Sequence, residues 1–171
     1  FRRPLSSDIV ARTRCVRIPT HRCILLFNSC PHAYDISLPS PRRLLVGIAG
    51  IPGSGKSTLT QRVAERVVAL RGQCCAWVGM DGWHYSRSVL DAMHDPGEAH
   101  RRRGAAFTFD SDAFVAFADK LRHDGMVRLS APSFSHADKD PIEAAIQIEP
   151  SHTIVLLEGC LLYTSDAADD S

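Results

Sequence analysis

The stretch Gly50-Ile51-Pro52-Gly53-Ser54-Gly55-Lys56-Ser57 fits G-x-x-x-x-G-K-[ST], and its reading decides the fold. Glycines in such a loop let backbone N–H groups converge on phosphate oxygens, where side chains would obstruct. A helix beginning at the Gly-Lys-Ser end adds the positive end of its dipole. In that setting Lys56 reaches the β- and γ-phosphates of a nucleoside triphosphate, and the Ser57 hydroxyl is offered to Mg2+. The expected nucleotide-holding residues are Gly50, Ile51, Pro52, Gly53, Ser54, Gly55, Lys56, Ser57 and Thr58, with ATP and Mg2+ as the ligands. The competing account is a chance glycine-rich turn.

The flanks argue against chance. Leu44 to Ala49 is a short apolar run bounded by arginines and glycine, the pattern of a buried parallel strand. From Ser57 to Leu70, apolar residues recur at 59, 63, 67 and 70, a helical spacing, and Gly72 is a plausible stop. Strand, loop and helix thus follow in the order a phosphate cradle needs. The cradle alone names no function, because GTPases, motor ATPases and small-molecule kinases share it.

Cys74 to Met80 reads as the next strand, and Asp81 falls at its carboxyl end, where open α/β sheets bind ligands. A kinase acting on an alcohol needs a group that orients the hydroxyl and takes its proton, and a carboxylate does both. Asp81 and Lys56 are therefore the expected catalytic pair. The alternative is that Asp81 caps a short helix or completes a turn with Gly82.

Three further stretches would line the acceptor side. His84 and Tyr85 follow Asp81 directly and can hydrogen-bond hydroxyls in either direction, or else form a packed pair under the loop. The run Arg101-Arg102-Arg103 offers a group for an acceptor phosphate or carboxylate. Three in a row on a helix point to different sides, so Arg102 and Arg103 are taken as candidates, with Phe107 just downstream. A solvated basic face is the other reading. Asp110 or Ser111 should cap a helix to about Arg122, with Phe114, Phe117, Ala118 and Leu121 at core spacing. Val127 to Ala131 reads as a strand, and Pro132 to His136 as the loop leaving it. His136 is the last acceptor candidate, against the alternative of an ordinary surface loop. Thr153 to Leu157 is a further buried strand ending in Glu158, a carboxylate placed to support Mg2+ together with Ser57.

These segments resemble the uridine kinase/pantothenate kinase/phosphoribulokinase group of P-loop kinases. The matching pieces are GIAGIPGSGKSTL, MDGWHYSRSVLDAMHDP, HRRRGAAFTFDSDAF, APSFSHADKDP and IVLLEG, in family order from about Leu44 to Gly159. The resemblance implies a three-layer α/β P-loop fold with a mostly parallel sheet. It also implies ATP-dependent phosphorylation of a hydroxyl on a small metabolite, such as a nucleoside, a pantothenate-like molecule or a sugar. In such kinases the aspartate after the second strand is the presumed base, here Asp81. The His136 segment, with Lys139 and Asp140, resembles the group's substrate loop, and Glu158 stands where many P-loop proteins carry Asp. Complete members continue past the Glu-Gly pair and supply a lid arginine and adenine contacts, so the sheet is expected to be incomplete at its C-terminal end and the chain weak in turnover. The alternatives are a nucleoside triphosphate hydrolase and a non-catalytic nucleotide-binding module.

The totals set the frame. A chain of 171 residues has room for one domain, and 44% apolar with 23% charged residues is ordinary for a globular protein. A net charge of +1 argues neither for nor against a polyanion. The expected partner is a small-molecule acceptor, with no nucleic acid and no membrane, and the oligomeric state is not legible. Residues 1–40 hold most of the early arginines and prolines and read as an irregular leader or non-native segment. Such a start also fits a mitochondrial transit peptide, so a cytoplasmic location is expected with mitochondrial as the alternative. The kinase domain is expected over 41–159. The run from Cys160 resembles a translated sequencing adapter, which makes 160–171 an expected non-native tail. Of six cysteines none form C-x-x-C, and a metal cluster of Cys15, Cys23, Cys30, His21 and His32 matches no ligand spacing.

Overall fold

Three of the apolar runs lie side by side as parallel strands, and they carry the loop and both carboxylates at one end. The computed structural model describes residues 16–17, 24–28 and 43–160. Its strands are β1 (Val16–Arg17), β2 (Ile24–Asn28), β3 (Leu44–Gly50), β4 (Cys75–Gly79), β5 (Leu129–Ser135), β6 (Asp140–Ile148) and β7 (Ile154–Gly159). Its helices are α1 (Lys56–Arg71), α2 (Arg87–Asp91), α3 (Pro96–Arg101) and α4 (Ser111–His123), with single 3-10 turns at Met80–Trp83 and Ala106–Thr108. The cysteine–histidine set considered as a metal cluster lies outside the described residues, as does nearly all of the expected tail.

The main sheet has the order β1-β2-β3-β7-β4. Strand β7, last in the chain, inserts between β3 and β4 and runs parallel to both. This α/β arrangement has the three layers expected. On one face α1 lays Ala64 with Val63, Val67 and Val68 against Cys75, Leu156, Val46 and Ile154. On the other face Val78, Val155 and Leu157 pack with Trp83, Phe109, Phe114, Phe117 and Leu121. Helix α4 matches its predicted span and core positions, and the Asp110 carboxylate caps it by accepting from the Ala113 N–H.

Four features differ from the sequence reading. The apolar run Ile24–Asn28, inside the segment read as irregular, forms a strand antiparallel to β3. Leu70 is 66% exposed, because the buried face of α1 is centred on Thr60 and Ala64 and Leu70 lies about a third of a turn away. Strand β5 begins later than predicted and continues through Pro132 to Ser135. Proline has no N–H for the ladder, and the register shifts between Ala131 and Ser133 to accommodate it. Finally, β5 pairs antiparallel with β6, which no sequence pattern announced, and the two form a separate sheet. Residues 142–145 of β6 are exposed on both faces, and only Ile146 and Ile148 further along reach the core. No helix among the described residues is long and apolar enough to cross a membrane.

The entry to β3 is fixed by Arg43, which is 2% exposed. Its guanidinium donates to the carbonyls of His152 (3.1 Å), Gly125 (3.0 Å), Glu149 (3.3 Å) and Val127. One side chain thus ties the start of the phosphate-loop strand to the loops before β5 and before β7. Replacement by alanine would leave several buried carbonyls without donors. Arg43→Ala should therefore lower stability by roughly 3–5 kcal/mol in urea denaturation, and Arg43→Lys should recover only part of it.

Candidate active site

The phosphate loop joins β3 to α1. Gly53 and Gly55 take φ of 73° and 84°, left-handed values that a side chain would strain. Helix α1 starts at Lys56 with Gly55 before it, no side-chain cap, and no acid in its first turn. Its leading N–H groups and dipole therefore remain available to an anion. The Ser54 hydroxyl is buried inside the loop without a hydrogen-bond partner among the described residues. An orphaned donor and uncapped N–H groups in one cradle suit phosphate oxygens.

Glu158 closes β7 beside this loop. The parallel register puts it level with Ile48 on β3 and Gly79 on β4. Its carboxylate lies 3.7 Å from the Lys56 ammonium, and the two side chains are only 9% and 13% exposed. Burial pushes the Glu158 carboxyl above its ordinary pKa. Lys56 opposes that shift, the negative charge of Asp81 adds to it, and hydrogen bonding from Ser57 and Lys56 opposes it further. Lys56, Ser57, Asp81 and Glu158 thus act on one another across the carboxyl ends of β3, β4 and β7. A serine hydroxyl and a carboxylate are hard oxygen donors, and they fit Mg2+.

Asp81 sits half-buried in the Met80–Trp83 turn. Among the described residues its side chain caps no helix, while its backbone completes the turn with Gly82 that the alternative reading named. Its backbone carbonyl accepts from the His84 N–H (3.1 Å) and from His84 Nδ1 (2.9 Å). The turn is anchored by Trp83, which stands edge-on to Phe114 with ring centres 5.0 Å apart. Gly82 is pressed against β5: a Cβ there would lie 2.3 Å from the Pro132 carbonyl oxygen. No other residue type permits that approach.

Beyond Asp81 the structure gathers an aromatic wall. The His84 ring lies 3.9 Å from Phe109 and 4.9 Å from Phe134, centre to centre. His136 stands edge-on to Phe134 at 5.4 Å. The Arg103 guanidinium covers Phe134 at 5.3 Å, donates to the Tyr85 carbonyl at 2.7 Å and pairs with Asp140 at 3.5 Å. Its Nε is buried without a partner among the described residues. Burial lowers the His84 pKa; the Asp81 carbonyl and charge oppose this, while Arg103 and His136 add to it.

Of the acceptor candidates, His84, Arg103 and His136 meet around Phe134, and Tyr85 contributes its carbonyl. Arg102 and Phe107 do not join them. Both are exposed and stack on each other at 5.6 Å, with Arg102 also 3.4 Å from Glu98. The single turn Ala106–Thr108 explains the exchange: it sends Phe107 outward and Phe109 inward. Sequence reasoning overlooked Phe109 and Phe134, although a buried aromatic one residue before the Asp110 cap was a usable signal for the first.

With this geometry in hand, comparisons with known proteins are informative. No family model matches the chain. A Schizosaccharomyces pombe protein named as a putative uridine kinase is 40% identical over 123 residues, covering 71% of this chain and 52% of its own length. The Saccharomyces cerevisiae ATP-dependent kinase YFH7 is 33% identical over 117 residues, covering 52% of this chain and 33% of its own. The structure described as a putative fructose transport system kinase from Silicibacter sp. TM1040 superposes with a TM-score of 0.63 at 33% identity, over 75% of this chain and 58% of that one. The chain is thus similar to proteins named or described as uridine kinase-like and ATP-dependent P-loop kinases. It spans about half the length of the first two curated relatives it matches, 52% and 50%. A Bacillus stearothermophilus structure described as a possible uridine kinase has 18% identity and a TM-score of 0.56, a likeness of fold.

Two outcomes follow from the packing around Asp81 and Glu158. Gly82→Ala should force the Met80–Trp83 turn away from β5, lowering the melting temperature and moving the Trp83 fluorescence. Gly79→Ala, where a Cβ would meet Glu158 at an ordinary 3.6 Å, should be much milder. For Glu158 the folded-state pKa lies above the unfolded one. Its contribution to stability is therefore full below the unfolded value and is lost as pH rises through the raised folded value. Glu158→Gln should accordingly raise the melting temperature of the nucleotide-free protein at pH 7, by on the order of 2 °C, and weaken Mg2+-dependent nucleotide binding.

Proposed function

We propose that this chain is the nucleotide- and acceptor-binding part of an ATP-dependent kinase that phosphorylates a hydroxyl of a small metabolite. The observation that supports the reading is that the turn carrying Asp81 follows β4, whose neighbour β7 ends in Glu158, the partner of Lys56. The phosphate loop holds the β- and γ-phosphates through backbone N–H groups, and Lys56 leaves Glu158 to neutralise them. Ser57 and Glu158 hold Mg2+, which when bound offsets the charge on the phosphate oxygens.

Asp81 accepts the hydrogen bond of the incoming hydroxyl and takes its proton. The acceptor oxygen then forms its bond to the γ-phosphorus in line with the breaking bond to the β,γ-bridging oxygen, and ADP departs. His84 and Arg103, packed against Phe134, wall the acceptor side, with the exposed His136 at its rim. A base aimed at an alcohol and flanked by an aromatic wall favours transfer over simple hydrolysis.

Asp81→Asn tests this directly. Acceptor-dependent ADP release should fall by about a hundredfold or more, while nucleotide affinity stays within about threefold. Lys56→Ala should instead weaken nucleotide binding. The same pair of substitutions belongs in the Schizosaccharomyces pombe relative. ADP release that ignores both the acceptor and Asp81→Asn would make the protein a hydrolase. Nucleotide binding with no turnover in either protein would make it a binding module.

A further inference from the structure

We propose that His84 is a positioning and specificity-determining residue whose ring is held as the Nδ1–H tautomer by the Asp81 carbonyl, leaving Nε2 as a hydrogen-bond acceptor that selects an uncharged donor on the alcohol substrate. This rests on the kinase reading above and deepens it.

The tautomer follows from the partner. A backbone carbonyl can only accept, so the 2.9 Å contact between His84 Nδ1 and the Asp81 oxygen requires the proton on Nδ1. Burial, Arg103 and His136 all disfavour a second proton on the ring, against the opposing pull of Asp81. Nε2 therefore carries a lone pair. It has no partner among the described residues, and it is absent from the buried orphans, so it remains open to solvent. The ring cannot turn to present another edge without breaking the Asp81 contact and its packing between Phe109 and Phe134.

Two consequences follow. Through Nδ1 and its own backbone N–H, His84 grips the Asp81 carbonyl twice, fixing the turn from which the base projects. Through Nε2 it rewards an O–H or N–H and repels an anionic oxygen, whose lone pairs would face its own. The nearest cation does not reverse this preference. Arg103 pairs with Asp140 and donates to the Tyr85 carbonyl, its Nε, unpartnered among the described residues, is buried away from solvent, and Asp140 also accepts from the Arg87 N–H at 2.8 Å. His136 and Lys139 are exposed at the hairpin tip and stay hydrated.

The test separates the two edges of the ring. An asparagine amide can stand near Nδ1, and a glutamine amide near Nε2. His84→Asn should keep the grip on Asp81 and lose the acceptor, raising KM for the best neutral substrate about tenfold with kcat within about threefold. His84→Gln should do the reverse, lowering kcat about tenfold with a smaller change in KM. Both are assayed beside wild type for ATP affinity and melting temperature, with neutral and anionic probes in pairs: fructose and fructose 6-phosphate, glycerol and glycerate. Preference for the neutral member of each pair, together with the opposite kinetic signatures, supports the proposal. Equal losses in kcat and KM for both variants would make His84 a packing residue and overturn it. Preference for the anionic members would overturn the selection while leaving the kinase reading in place. Transfer to no probe by this chain and by the Schizosaccharomyces pombe relative alike, with ATP bound, would remove both.

Discussion

The Lys56–Glu158 ion pair is the contact on which the arrangement of the site depends. It forms because β7 enters the sheet between β3 and β4, so the end of β7 abuts the phosphate loop on one side and the Met80–Trp83 turn on the other. Two acids, Asp81 and Glu158, thereby meet at one end of the sheet, where burial and the charge of Asp81 make the Glu158 charge more costly. The ammonium of Lys56 offsets that cost while no phosphate is present. A site that is electrostatically tense without its ligand has a stake in binding polyvalent anions and hard cations. The orphaned Ser54 hydroxyl belongs to the same picture: a polar group kept in the cradle without a partner among the described residues.

Around that centre, rigidity comes from ordinary packing. Trp83 is wedged among Phe114 and Phe117 of α4, which pins the turn carrying Asp81 to the same core that seats β4 and β7. Arg43 does for the other end of β3 what the aromatics do for this end. It is a buried cation satisfied by carbonyls alone among the described residues, so its removal would expose backbone groups and not merely a charge. The glycine at 82 is the point where the Met80–Trp83 turn and β5 touch backbone to backbone.

Much of the fold was legible from residue order. A Gly-rich loop after an apolar run and before a helical period admits few arrangements, and Asp81 and Glu158 could be placed at strand ends by counting. The lone Asp110 cap and the Phe114, Phe117, Leu121 spacing gave α4 its span. What was not legible depended on partners far along the chain. The alternation in β6 is broken by Ala144 at φ 50° and by four consecutive exposed positions, so the stretch carries little strand period. The choice between Phe107 and Phe109 rested on one 3-10 turn that no spacing rule specifies. Leu70 misled because its spacing from Val67 is helical, whereas burial is decided by which face meets the sheet. The role of Arg103, stacked on Phe134 and tied to Asp140, required knowing that β5 and β6 fold back over the turn.

The β5–β6 ribbon has one further meaning. It shares no backbone pairing with the main sheet, yet it contributes Phe134, His136 and Asp140 to the acceptor wall. On the reading proposed above, the acceptor wall would thus be shared between the ribbon and the segment that carries Asp81 and His84. If that reading holds, substitutions in the ribbon would reshape part of the acceptor wall while leaving the phosphate loop untouched, because the two lie in separate sheets.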